Sequence, residues 1–195
     1  MRLRLYDRAR SGNCYRVRLM LGLLGLEYER IAINTGGAVS VFTGEAVVPV
    51  TDHPSQQGDD PARRGENRQP WFLAKNPRGQ VPVLEIDGEP IWDSIAILVF
   101  LARRFGGDAW LPTAPLELAR VVQWLVLSQN ELLYGLAQLR GMRHIGRAGD
   151  EARALALARA GLAALEARLA AAQWLEHDRP TIADVACYPY VSLSE

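Results

Sequence analysis

The sequence predicts an α/β domain followed by an all-helical one. Three observations carry this. Residues 2–33 read as strand, helix, strand. A β-hairpin signal lies between Val81 and Trp92. From Pro115 onward apolar residues recur only at helical spacing.

Arg2 to Tyr6 alternates polar and apolar side chains, as a strand does. Asp7 to Asn13 is a polar loop. From Cys14 to Leu24 a helix carries Val17, Met20, Leu21 and Leu24 on one face, with Gly25 just past its end. Tyr28 to Ile33 is a second strand. Such a βαβ unit predicts parallel strands. Residues 36–69 break the pattern. Ala38 to Val50 is apolar and β-prone, whereas Thr51 to Gln69 is polar with Pro54, Gly58, Pro61 and Gly65. This reads as a mobile loop or a disordered segment.

Asn76-Pro77-Arg78-Gly79 is a turn. Val81 to Ile86 is a short strand, Asp87-Gly88 a tight hairpin turn, and Glu89 to Trp92 the returning strand. Asp93-Ser94 stands at a helix N-cap, followed by an apolar face of Ile95, Leu98, Val99, Ala102 and Phe105. The order βαβ-α-ββα over residues 1–106 is a thioredoxin-like domain. Residues 107–113 form a linker without regular pattern. Residues 114–195 form a helical bundle domain. Its first helix, to about Arg143, has Leu118, Val122, Leu125, Leu132, Leu136 and Leu139 inward. Its second, about Asp150 to Trp174, has Leu155, Ala158, Leu162, Leu165, Leu169 and Ala172 inward. Thr181-Ile182-Ala183-Asp184 is a capping box opening the third.

Composition narrows the function. The 195 residues carry 22 basic and 22 acidic side chains, with no basic block to meet nucleic acid. No apolar run approaches the roughly 18 residues of a membrane span. Cys14 and Cys187 make neither a disulfide framework nor metal spacing, and His53, His144 and His177 stand apart, so no metal is expected. A reducing cytoplasm is the expected location.

Two features point to chemistry. Pro82 within a strand marks an edge or irregularity. A cis bond at Val81–Pro82 would turn the Val81 backbone outward, toward an extended peptide. The helix start at Ser94 favours a carboxylate. Together they suit a small anionic peptide.

Asn76-Pro77-x-Gly79-x-Val81-Pro82-x-Leu84, followed by Asp93-Ser94-x-Ala96-Ile97, resembles the glutathione-binding half of soluble bacterial glutathione S-transferases. The Thr181 capping-box helix resembles the one that family buries in its C-terminal domain. The resemblance implies a cytoplasmic, homodimeric detoxifying enzyme that conjugates glutathione, its co-substrate, to a small hydrophobic electrophile. It also implies that residues 36–69 are an insertion, a lid over the glutathione site or a neutral surface excursion, and that further helices follow the third, so the C-terminal domain is expected to be truncated.

It assigns residues too. Val81, before the cis-proline Pro82, pairs with the cysteinyl part of glutathione. Asp93 and Ser94 hold the γ-glutamyl end, Gln80 contacts the glutathione backbone, and Lys75 or Asn76 the glycyl carboxylate. Ser11 takes the place of the activating hydroxyl, and Asn13 adds an amide donor to the sulfur. Cys14, in a first helical turn, is the competing centre: a lowered thiol pKa there would make a thiol–disulfide oxidoreductase. Tyr6 is a further hydroxyl near the site. Arg16 is read as an exposed arginine within reach of a carboxylate. Asn130, Leu133 and Tyr134 wall the second-substrate pocket. A third reading is a non-enzymatic module that binds a protein partner through residues 36–69.

Overall fold

The computed structural model describes residues 1–35 and 65–194. Residues 36–64, and with them most of the expected insertion, lie outside the described residues.

Strand β1 (Leu3–Asp7), helix α1 (Gly12–Leu23) and strand β2 (Glu29–Ala32) form the expected βαβ unit, with β1 and β2 parallel. After a 3₁₀ turn at Glu66–Arg68 and a one-turn helix α2 (Pro70–Leu73) come β3 (Val83–Ile86) and β4 (Glu89–Trp92). The sheet order is β2-β1-β3-β4, with β1/β3 and β3/β4 antiparallel. Strand β3 begins two residues later than the sequence suggests, because Pro82 has no N–H for the ladder. The hairpin turn is as expected: Asp87 and Gly88 both have positive φ, 51° and 98°.

Pleating splits the strands between two cores. Leu3, Leu5 and Leu84 face α1, α3 (Ser94–Leu101) and the helical region in one continuous cluster. Tyr6 and Val83 face the other way, onto Phe72 of α2 and Ile33.

Helix α3 runs on through π-helical turns to Gly106. Residues 107–113 are more ordered than a patternless linker. Gly107–Ala109 is a 3₁₀ turn, Leu111 is buried, and Arg103 donates to the carbonyls of Leu111 and Pro112, both at 2.7 Å. Helix α4 (Pro115–Leu127) continues through π-helical Ser128–Ala137 into α5 (Gln138–Ile145). Helices α6 (Glu151–Leu169) and α7 (Ile182–Ser192) follow.

The inward faces differ in part from those expected. On α3 they are Ile97, Leu98 and Leu101, with Val99 exposed. On α4 Val121 and Trp124 are buried and Val122 is exposed. On α6 Ala154, Ala158, Gly161 and Leu165 are buried while Leu155 and Leu169 are exposed. Close approach of backbones explains α6. A Cβ on Gly135 would lie 2.5 Å from the Ala158 nitrogen, so small residues occupy the contact and the leucines flank it. Helix α6 also ends at Leu169 rather than near Trp174.

The capping box of α7 is complete. Thr181 Oγ1 accepts from Ala183 N–H, and Asp184 Oδ2 accepts from Thr181 N–H at 2.8 Å. Asp184 Oδ1 also accepts from Leu175 N–H at 2.9 Å, tying the preceding loop to the helix. Asp184→Ala should therefore lower unfolding free energy by about 2 kcal/mol, since it strips three donors, the Thr181 N–H and hydroxyl and the Leu175 N–H, of their partner. Denaturant unfolding with an unchanged m-value measures this; a loss below a few tenths would contradict it.

Candidate functional site

The site grows from the first turn of α1. Ser11 is its N-cap, at φ −81° and ψ 123°, and its Oγ accepts from Cys14 N–H at 3.3 Å. The helix thus begins at Gly12, two residues before the expected start. That bond does not use the proton of the Ser11 hydroxyl. Gly12 has no room for a side chain: a Cβ would lie 2.5 Å from the Tyr190 ring of α7.

Around this turn lies a cavity of about 820 Å³. Ser11 and Asn13 line it from α1, Gln80 and Val81 from the segment before β3, and Asp93 from the start of α3. Leu133, Tyr134 and Arg140 close it from the α4–α5 helix, and Tyr190 from α7. The Val81–Pro82 bond is cis. Neither the N–H nor the C=O of Val81 has a hydrogen-bond partner among the described residues. Asn76 is buried and holds this segment: its Nδ2 donates to Gln80 O at 2.7 Å and its Oδ1 accepts from Arg78 N–H at 3.0 Å.

The lining is strongly cationic. Among the described residues, Arg8, Arg10, Arg68, Arg78, Arg140 and Arg147 line the cavity against one carboxylate, Asp93, which pairs with Arg78 at 3.3 Å. Arg10, Arg68, Arg140 and Arg147 have no carboxylate partner among the described residues. Burial holds the pKa of Arg147 below the usual arginine value. Sequence reading missed these arginines. Each is an ordinary polar position locally, and only the fold brings them to one cavity.

The other expected residues divide. Ser94 is 3% exposed and lies behind the cavity: its Oγ donates to Asn13 Oδ1 at 3.3 Å and accepts from Arg16 Nη1 at 3.3 Å. Asp93 caps α3 by accepting from Ile95 N–H at 2.9 Å. Pro82 is buried. Asn130 is turned to its own helix, donating to Val126 O at 3.1 Å, and does not line the cavity. Tyr6 packs on Phe72 of α2 and donates to Glu85 at 3.1 Å. Lys75 pairs with that same Glu85 rather than reaching the cavity. Arg16, expected on the surface, is fully buried.

Cys14 reverses expectation. It is fully buried, and burial together with the nearby Asp7 charge pushes its pKa up to about 12. Desolvation outweighs the helix N-terminus here, so this thiol is protonated at neutral pH and does not serve as an attacking thiolate. Cys187 is likewise pushed up to about 12 by burial. Among the described residues no group of three or more His, Cys, Asp or Glu is placed to hold a metal, and no helix is long and apolar enough to cross a membrane.

Two consequences follow for the thiols. The native protein should resist alkylation at neutral pH at both cysteines and take two labels after denaturation; fast labelling of native Cys14 would contradict its burial. Their raised pKa values also set a pH window. The stability they contribute is fully present below the unfolded thiol value of about 8.5 and is lost as pH rises toward about 12.

The chain has known relatives in both sequence and fold. Residues 10–104 match the family model described as glutathione S-transferase, N-terminal domain. The maleylacetoacetate isomerase of Pseudomonas aeruginosa is 32% identical over 198 residues, covering 99% of this chain and 82% of that protein. That of Rhizobium meliloti is 31% identical, covering 96% and 79%. The crystal structure of a glutathione S-transferase from Pseudomonas fluorescens superposes with a TM-score of 0.77 at 30% identity, covering all of this chain and 85% of that one. The chain belongs to the glutathione S-transferase family, whose enzymes act with glutathione.

Proposed function

We propose that this glutathione transferase acts on an anionic electrophile, and that its reaction is glutathione-dependent cis–trans isomerisation of a small unsaturated diacid such as maleylacetoacetate. One observation carries the reading: a cavity beside Ser11 with four arginines that lack a carboxylate partner among the described residues. Its charge suits a diacid better than the neutral hydrophobic electrophile expected from sequence. The names of the bacterial relatives supply the reaction.

Glutathione supplies a thiol that adds across the conjugated double bond, leaves a single bond free to rotate, and is released unchanged. The chain's residues prepare both partners. The unpaired N–H and C=O of Val81 receive the cysteinyl backbone as an added strand would be received. Asp93 meets the γ-glutamyl ammonium, and Arg68 and Arg78 draw in the carboxylates of the peptide.

Ser11 donates to the sulfur, helped by Asn13 and the start of α1. A free thiol has a pKa of about 8.5, so lowering it by two units takes about 2.7 kcal/mol of preference for the anion. Arg10, Arg140 and Arg147 hold the diacid from the helical side. The homodimer, cytoplasmic location and detoxifying role stand as part of the same proposal. The exposed apolar side chains Val99, Leu116, Val122 and Val126 support the dimer.

Steady-state assays test the reading. Arg140→Met and Arg147→Met should each lower kcat/KM for the diacid ten- to a hundredfold, mostly through KM, since each removes a charged hydrogen bond. Ser11→Ala should lower kcat/KM by a similar factor, mostly through kcat, for any electrophile. No isomerisation by the wild type, with brisk conjugation of a neutral aromatic halide, would overturn the substrate class. Full activity in Ser11→Ala would remove that residue from its role.

A further inference from the structure

Arg16 is 0% exposed, yet it makes no ion pair among the described residues. Its Nη1 donates to Ser94 Oγ at 3.3 Å, its guanidinium lies 5.1 Å from the centre of the Tyr190 ring, and its Nε and Nη2 are buried without a partner. A buried cation with no carboxylate at ion-pair distance opposes folding. An apolar side chain would fill this place on α1 more stably, so packing alone does not account for an arginine here.

The hydrogen bonds around it have a direction. A guanidinium only donates. Ser94 Oγ must therefore accept from Arg16, and its single proton goes to Asn13 Oδ1 at 3.3 Å. Tyr190 gives the same oxygen a second hydrogen bond at 2.9 Å. Two donors thus hold the carbonyl end of the Asn13 amide inward. Its Nδ2 has no hydrogen-bond partner among the described residues, and Asn13 lines the cavity. Without Arg16 the Ser94 hydroxyl would be free to accept instead, and the amide would gain a reason to turn round.

We propose that Arg16 is a positioning residue: acting through Ser94, it locks the Asn13 amide with its N–H groups toward the cavity, as a second donor to the glutathione sulfur beside Ser11. This rests on the reading that the cavity takes glutathione.

The test compares wild type with Arg16→Met, Arg16→Lys, Ser94→Ala, Asn13→Ala and the Asn13→Ala/Arg16→Met double variant. The readouts are the pH profile of kcat/KM and the thiolate absorbance of bound glutathione. Arg16→Met and Ser94→Ala should each raise the apparent thiol pKa of bound glutathione by about one unit and lower kcat/KM at neutral pH about threefold. Arg16→Lys, which keeps a charged donor, should recover most of the loss. The double variant should be no worse than Asn13→Ala alone, because Arg16 acts only through that amide. Additive losses, or an unmoved pH profile in a folded variant, would overturn the proposal. If Arg16→Met does not fold, Ser94→Ala decides, since it breaks the same relay with a small change. Wild type that binds no glutathione in calorimetry would overturn the underlying reading as well. Normal binding with unmoved profiles would overturn this proposal alone.

Discussion

The site depends on one close approach, that of α7 to the first turn of α1. Tyr190 lies where a side chain on Gly12 would be, bonds to Asn13, and lies beside the buried guanidinium of Arg16. Through this contact the helical region sets the shape of the loop that carries Ser11 and Asn13. The two regions share one hydrophobic core, so the placement of that loop is tied to the packing of the whole chain. A close-packed interior has few alternative arrangements, which keeps such a loop in place.

Charge follows the same division. The sheet keeps its charges paired. Asp7, fully buried, is held between Arg18 and Arg30, and Glu85 between Arg4 and Lys75. Those pairs lower the energy of placing a carboxylate in the interior. The cavity does the opposite, gathering Arg10, Arg68, Arg140 and Arg147, none with a carboxylate partner among the described residues. Clustered cations of this kind attract anions. Cys14, only one residue beyond Asn13 but sealed from that cavity, experiences burial and the Asp7 carboxylate instead, and its thiol is held protonated.

What could be read from sequence was local. The βαβ unit, the Asp87-Gly88 turn, the N-cap at Asp93 and the Thr181 capping box each depend on residues within a few positions of one another, and each is present. The cavity positions of Ser11, Asn13, Gln80, Val81 and Asp93 followed from motif order. What could not be read was tertiary. Val99 and Val122 look like core residues by spacing, yet face outward. Arg16 looks like a surface residue, yet α7 covers it. Asn130 and Tyr134 are close in sequence on one helix, and only Tyr134 reaches the cavity. Helix period fixes relative directions of side chains but not which direction meets a neighbour.

The central claim is that this cavity binds glutathione as a thiolate. Proton release on binding tests it most directly, by calorimetric titration at pH 7 in buffers of different ionisation enthalpy. A free thiol is almost fully protonated there. With its pKa lowered by two units, binding should release roughly 0.7 proton per glutathione. Binding with no proton release would mean that the site holds the peptide without activating its sulfur, and would contradict the account.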